Sequence, residues 1–171
     1  MGQALAAIFH WLGALLHLGH PAAACAPTTL PPLPPAALIA HAEQASGGYA
    51  VQMVTRCRSG ERVLEVSSVG RSGLAVVDLR RGDNTLLDLR WGGWWQRLQH
   101  HAELRAAGAA ERPRLDLVQA LQRVDDPLHL RAARLQYIDG RPFWVFEVRA
   151  GDNLTHMIVD GNSGRVRKDG G

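Results

Sequence analysis

Catalysis needs a nucleophile beside a base, a metal-ligand spacing or a phosphate-holding glycine loop, and this chain of 171 residues displays none of the common forms. No G-x-S-x-G, H-E-x-x-H or C-x-x-C occurs. Its carboxylates Asp83, Asp125, Asp126, Asp139, Asp152 and Asp160 fall in stretches that read as turns, where such side chains bond nearby backbone N–H groups. His100 and His101, with Glu103 close by, would lie about 100° apart on a helix and would not share one metal ion. The expectation is therefore no catalytic residue, no metal site and no cofactor. What stands out instead is "WGGWW". Trp91, Trp94 and Trp95 would either anchor a binding partner or plug a joint in the fold.

Charge is distributed so as to exclude nucleic acid as a partner. The net charge is +3 and the pI about 9.4, but the 18 Arg and one Lys are scattered and never run longer than two. Before Glu43 there is no Asp, Glu, Lys or Arg at all. That stretch opens with the apolar run "ALAAIFHWLGALLHLG", short for a membrane span of about 20 residues and suited to the core of a signal peptide. Ala22 to Ala24 offer a cleavage site just before Cys25. Three states of the leader (1–26) stay open: removal on export, retention as an N-terminal membrane anchor, or lipid attachment at Cys25. Cys57 alternates in phase with Tyr49, Val51, Met53 and Thr55 and reads as a buried thiol; a Cys25–Cys57 disulfide stays open but would link the leader to a core strand, and no disulfide framework is expected.

Proline-rich 27–35 reads as an extended spacer, and the helix "AALIAHAEQA" follows it, ended by Gly47 and Gly48. The period then drops from 3.6 to 2. "YAVQMVTRC", "RVLEVSSV", "LAVVDLR" and "TLLDLRW" are four strands separated by Gly-, Asp- and Asn-bearing turns. Residues 96–112 read as a connecting helix. The order then repeats: "RLDLVQALQRV" is a helix with Asp116 and Gln119 at capping-box spacing, followed by strands ending in "FWVFEVRA", "THMIVD" and "RVRK". Setting Val77-Asp78 over Val159-Asp160 aligns the two halves. The expected fold is α+β: two tandem units, 36–95 and 113–169, each a helix on an antiparallel β-meander, joined by the connecting helix.

Residues 113–169 resemble a PepSY domain, through Asp139–Val148 ("DGRPFWVFEV") and Val159–Val166 ("VDGNSGRV"). Residues 36–90 resemble it less, because "RRGDNTLLDLR" replaces the compact last turn. The resemblance implies an extracytoplasmic, non-enzymatic protein that binds a peptide or modulates a peptidase, and it supplies no catalytic residues. Two alternatives compete with it. One is a membrane-anchored accessory protein in which His10, His17 and His20 handle haem or metal. The other is a lipid or lipoprotein carrier.

Overall fold

The computed structural model describes residues 25, 31–93, 112–125, 129–150 and 153–169. Helix α1 (Pro35–Ser46) starts on a proline, whose missing N–H is not needed in a first turn, and ends at Gly47 in the left-handed region (φ 61°). Strands β1 (Gly48–Arg58), β2 (Glu61–Gly70), β3 (Gly73–Arg80) and β4 (Leu86–Trp91) follow. The short helix α2 (Leu117–Leu121) carries the capping box between Asp116 and Gln119 in both directions. Then come β5 (Leu130–Ile138), β6 (Arg141–Ala150), β7 (Asn153–Asp160) and β8 (Val166–Asp169).

The two-unit architecture is not what forms. All eight strands belong to one antiparallel sheet in the order β4-β3-β2-β1-β5-β6-β7-β8, with two helices among the described residues. The seam is β1 against β5, where Met53 pairs Ala133, flanked by Gln52 with Arg134 and Val54 with Ala132. Had the halves been separate units, each would have left an open strand edge there; joining the edges satisfies both. The expected connecting helix lies outside the described residues apart from Arg112, which is not helical.

Inside the sheet the duplication holds at a spacing of 80 residues, except that a bulge skips Leu87 in β4 while its counterpart Arg167 pairs Ile158. Ser59-Gly60 and Asp139-Gly140 both have positive φ and make the same tight hairpin. Val51 and Arg131 are both skipped by a bulge. At the far turns Arg80 N–H donates to Thr85 O, and Asp160 N–H to Arg165 O; Asn84 (φ 60°) takes the left-handed place of Gly164 (φ 72°). The last turns are thus built alike despite their unlike sequences. The counterpart of Asp160 is Arg80, and that of Asp78 is Ile158, two residues away from the alignment drawn on the repeated Val-Asp. Met53 and Ala133 are counterparts that pair with each other, so the halves meet about a local two-fold axis.

Both helices touch and cover the same face of the sheet. Leu38, Ile39 and Ala42 pack with Leu64, Val66, Val77 and Leu79, and Leu117, Ala120 and Leu121 with Leu135, Trp144 and Phe146, in one continuous core. Trp144 is fully buried, and its Nε1–H donates to Leu115 O at 2.9 Å.

Candidate functional site

Three places on this frame carry polar or exposed groups that packing alone does not require. The first is the outer face of the β1–β4 half. Cross-strand pairing puts Glu65 opposite Asp78 and Asp78 opposite Asp88 in one row, with Arg90 beside Val76 in the next. Asp78, buried, takes a 2.6 Å bond from Arg58 Nη1 and bonds of 3.1 and 3.0 Å from Arg90 Nη2 to its two oxygens. Arg56 holds Glu65 at 3.0 Å, and Arg90 Nε holds Asp88 at 3.2 Å. The Arg58, Asp78, Arg90 and Asp88 ladder crosses from β1 to the outer strand β4, and Arg58, Asp78 and Arg90 of it line a cavity of about 320 Å³. Three arginines meet three carboxylates, so the ladder is close to neutral. In the second half the counterpart positions of Arg58, Glu65 and Asp78 hold Ile138, Val145 and Ile158. The fold therefore does not need the charges.

The second place is a cleft of about 770 Å³ where the end of α1 meets the β2–β3 hairpin, lined by Glu43, Tyr49, Gly70, Arg71, Arg112 and Asp116 among others. Gly48 and Gly70 lie back to back here: a Cβ on Gly48 would stand 2.8 Å from the Val69 carbonyl, so only glycine allows this approach. The Arg112 guanidinium sits 4.1 Å from the centre of the Tyr49 ring, a cation–π contact. Glu43 accepts the Ala50 N–H at 2.8 Å. Burial raises the Glu43 carboxyl above its ordinary pKa, against the lowering effect of that N–H.

A pH prediction follows from that direction. A carboxyl whose folded pKa is raised holds its proton more tightly in the folded chain, so its ionisation costs stability as pH climbs from the ordinary carboxyl value through the folded one. Glu43→Gln keeps an acceptor for Ala50 and removes the charge. The variant should be more stable than wild type near pH 7 and no more stable below about pH 4, as read by urea unfolding at the two pH values. Equal curves at both would mean that Glu43 is not desolvated.

The third place is the edge of β4. Leu86, Leu87 and Trp91 are 42, 37 and 51% exposed, while Leu89 packs partly on the core. Gly92 N–H donates to Leu74 O at 2.7 Å. By the alternation of an antiparallel pair, Leu89 and Trp91 then turn their own N–H and C=O outward, away from β3.

Of the residues singled out from sequence, Trp91 is thus exposed on an edge that no other strand pairs among the described residues, whereas Trp94 and Trp95 lie outside the described residues. The reading of Cys57 as a buried free thiol is corrected: it is half-buried and disulfide-bonded to Cys25, with the Cα atoms 5.4 Å apart. A sulfur in that bond cannot also carry a lipid thioether, so the disulfide and lipid attachment at Cys25 exclude each other. His10, His17, His20, His100, His101 and Glu103 lie outside the described residues, and among those described no three His, Cys, Asp or Glu converge on a metal site. Among the described residues no helix is long and apolar enough to cross a membrane.

Comparison with known proteins adds little to this geometry. No protein-family model matches the chain, and no curated protein matches it. Among solved structures it is similar to the crystal structure of a candidate lipoprotein from Clostridium difficile 630, with a TM-score of 0.45 and 14% identity over 78% of this chain and 90% of that one. At that score and identity the likeness carries no argument about function.

The Asp78 ladder is not among the residues singled out from sequence, although it has a signal there. An aspartate in the middle of "LAVVDLR" sits at a strand position too apolar in its surroundings to hold an unpaired charge. The turn reading of the other carboxylates does describe Asp83, which accepts Thr85 N–H, and Asp160, which accepts the N–H groups of Asn162 and Ser163. The Thr85 side chain first and then its N–H lower the Asp83 carboxyl, and the Ser163 N–H first and then that of Asn162 lower Asp160, each below its ordinary pKa.

Proposed function

We propose that this chain is a non-enzymatic protein of the cell envelope that works by holding an extended polypeptide along the free edge of β4. The observation that carries the reading is the contrast between the two outer strands. β8 runs only from Val166 to Asp169 and presents Arg167 and Lys168, the charged, short design that discourages pairing. β4 is longer and sets Leu86, Leu87 and Trp91 in solvent along an edge that no strand pairs among the described residues. Adding a strand to such an edge is a common mode of peptide recognition, with the backbone giving affinity and alternate side chains giving selectivity. The envelope location is supported by the uncharged apolar leader and by the Cys25–Cys57 disulfide, a bond that persists in oxidising compartments. The PepSY resemblance of residues 113–169 supports a finer reading in which a peptidase strand is one of the partners that compete for that edge.

The test is hydrogen exchange resolved to single amides. The N–H groups of Leu89 and Trp91 should slow when a strand pairs with the edge, whether the strand comes from this protein at rising concentration or from added unfolded casein. Trp91→Ser should weaken that protection by roughly tenfold or more, as loss of an aromatic anchor does. Unprotected Leu89 and Trp91 under every condition would remove the edge from consideration. Hydrolysis of a peptide or ester by the pure protein would end the non-enzymatic reading. Extractable bound lipid would favour a lipid or lipoprotein carrier, and haem absorption the membrane-anchored accessory protein.

A further inference from the structure

Strand β4 reads Leu86-Leu87-Asp88-Leu89-Arg90-Trp91, and its inner part complements itself when reversed. Laid antiparallel to a copy of itself about Leu89, it sets Asp88 opposite Arg90 of the second copy, twice, on the outer face. On the helix-covered side the same register sets Leu89 against Leu89; Leu87 is skipped by a bulge between the Asp78–Asp88 and Leu79–Leu86 pairs, so the self-complementary stretch runs from Asp88 to Arg90. Paired residues must share a face, so the nearest other registers are two residues away in either direction. One of them puts Asp88 against Asp88 and the other Arg90 against Arg90. Directly opposed like charges are unfavourable, which leaves the single register about Leu89.

Backbone and side-chain geometry agree with that register. Leu89 turns its N–H and C=O outward, as required of a residue that exchanges both bonds with its own copy. The side chains of Asp88 and Arg90 are 34 and 45% exposed at the end of the ladder that reaches back to Asp78 and Arg58. A second copy would continue that ladder across the joint. The chain already contains a junction of this kind, since β1 and β5 meet antiparallel about the Met53–Ala133 pair.

We propose that the polypeptide held by β4 is β4 of a second copy, giving a two-fold dimer in which the two eight-stranded sheets run on as one. The proposal rests on β4 being the binding edge, and names its occupant. Both copies use the same patch, so the assembly closes at two.

Charge reversal with complementation tests it. Wild type in sedimentation equilibrium should approach twice the single-chain mass as concentration rises. Asp88→Arg opposes Arg to Arg90 at two places, and Arg90→Asp opposes Asp to Asp88 at two places; each should weaken self-association by roughly tenfold or more. An equimolar mixture of the two variants restores both opposite-charge pairs and should associate about as tightly as wild type. Arg90→Asp also takes a partner from buried Asp78; if it does not fold, Asp88→Arg alone decides, together with concentration-dependent protection of the Leu89 and Trp91 amides in wild type. A wild type that stays monomeric overturns the proposal, and so does an Asp88→Arg variant that dimerises as tightly. Protection of those amides by casein but not by the protein's own concentration would refute the dimer while leaving the β4 edge as a peptide site.

Discussion

Trp144→Ala should lower the free energy of unfolding by about 3–5 kcal/mol, the range for deleting a large buried aromatic. Trp144 stands on β6 with no exposed surface, packed in the core with Phe146 and, on β7, its cross-strand neighbour Val159. Its indole N–H is the partner of Leu115 O, so truncation removes a hydrogen bond as well as the ring. Leu115 N–H in turn donates to Gly161 O, which ties the entry to α2 to the last turn. The ring is therefore a packing element and a clamp between helix layer and sheet. Trp144→Phe separates the two roles: it keeps most of the volume and loses the clamp, and should cost less. Denaturant unfolding of the two variants checks both. A loss under about 1 kcal/mol for the alanine variant would mean that β6 does not place this side chain inside.

Cys25→Ser should cost about 2–4 kcal/mol, the usual worth of a disulfide closing a loop of this order. The bond spans 32 residues and ties the segment ahead of α1 to β1 near the β1–β2 hairpin. That segment also donates Leu33 N–H to Arg81 O, the counterpart of the Leu115–Gly161 bond in the second half. The first half thus has a covalent strap where the second half has Trp144 bonded to Leu115. Reduction of wild type should lower its midpoint to that of Cys25→Ser, and the variant should not respond to reductant. Intact mass with thiol titration discriminates the states of Cys25. The disulfide leaves no free thiol, whereas lipid attachment would add mass and expose Cys57.

The two weakest points of the sequence reading were the two non-local ones. Whether β1 meets β5 is decided by backbone edges, and an edge carries no side-chain signature. Either two separate sheets or one continuous sheet would have shown the same alternation in "YAVQMVTRC" and "LHLRAARLQYI". The Cys25–Cys57 bond had the same character, because a pairing across 32 residues depends on where the spacer runs. Bulges at Val51 and Arg131 also shift the facing pattern by one, so Tyr49 pairs Val69 out of phase with Met53 and Val66.

By itself the sequence determined the local elements. Alternating β-branched and apolar residues made eight strands, Asp139-Gly140 and Asp160 to Gly164 made turns, Pro35 and Gly47 bounded α1, and the Asp116 and Gln119 pair capped α2. Each of these is set by bonds and sterics within a few residues, which is why it was legible. The tertiary structure alone decided that the two halves share one sheet about Met53 and Ala133, and that Asp78 is gripped by Arg58 and Arg90. It also decided which strands were left as edges. The β1–β5 pairing closed the inner edge of each half and left β4 and β8 as the outer strands, so which edge of the first half stays open is decided by a pairing about 40 residues away along the chain, beyond the reach of any local pattern.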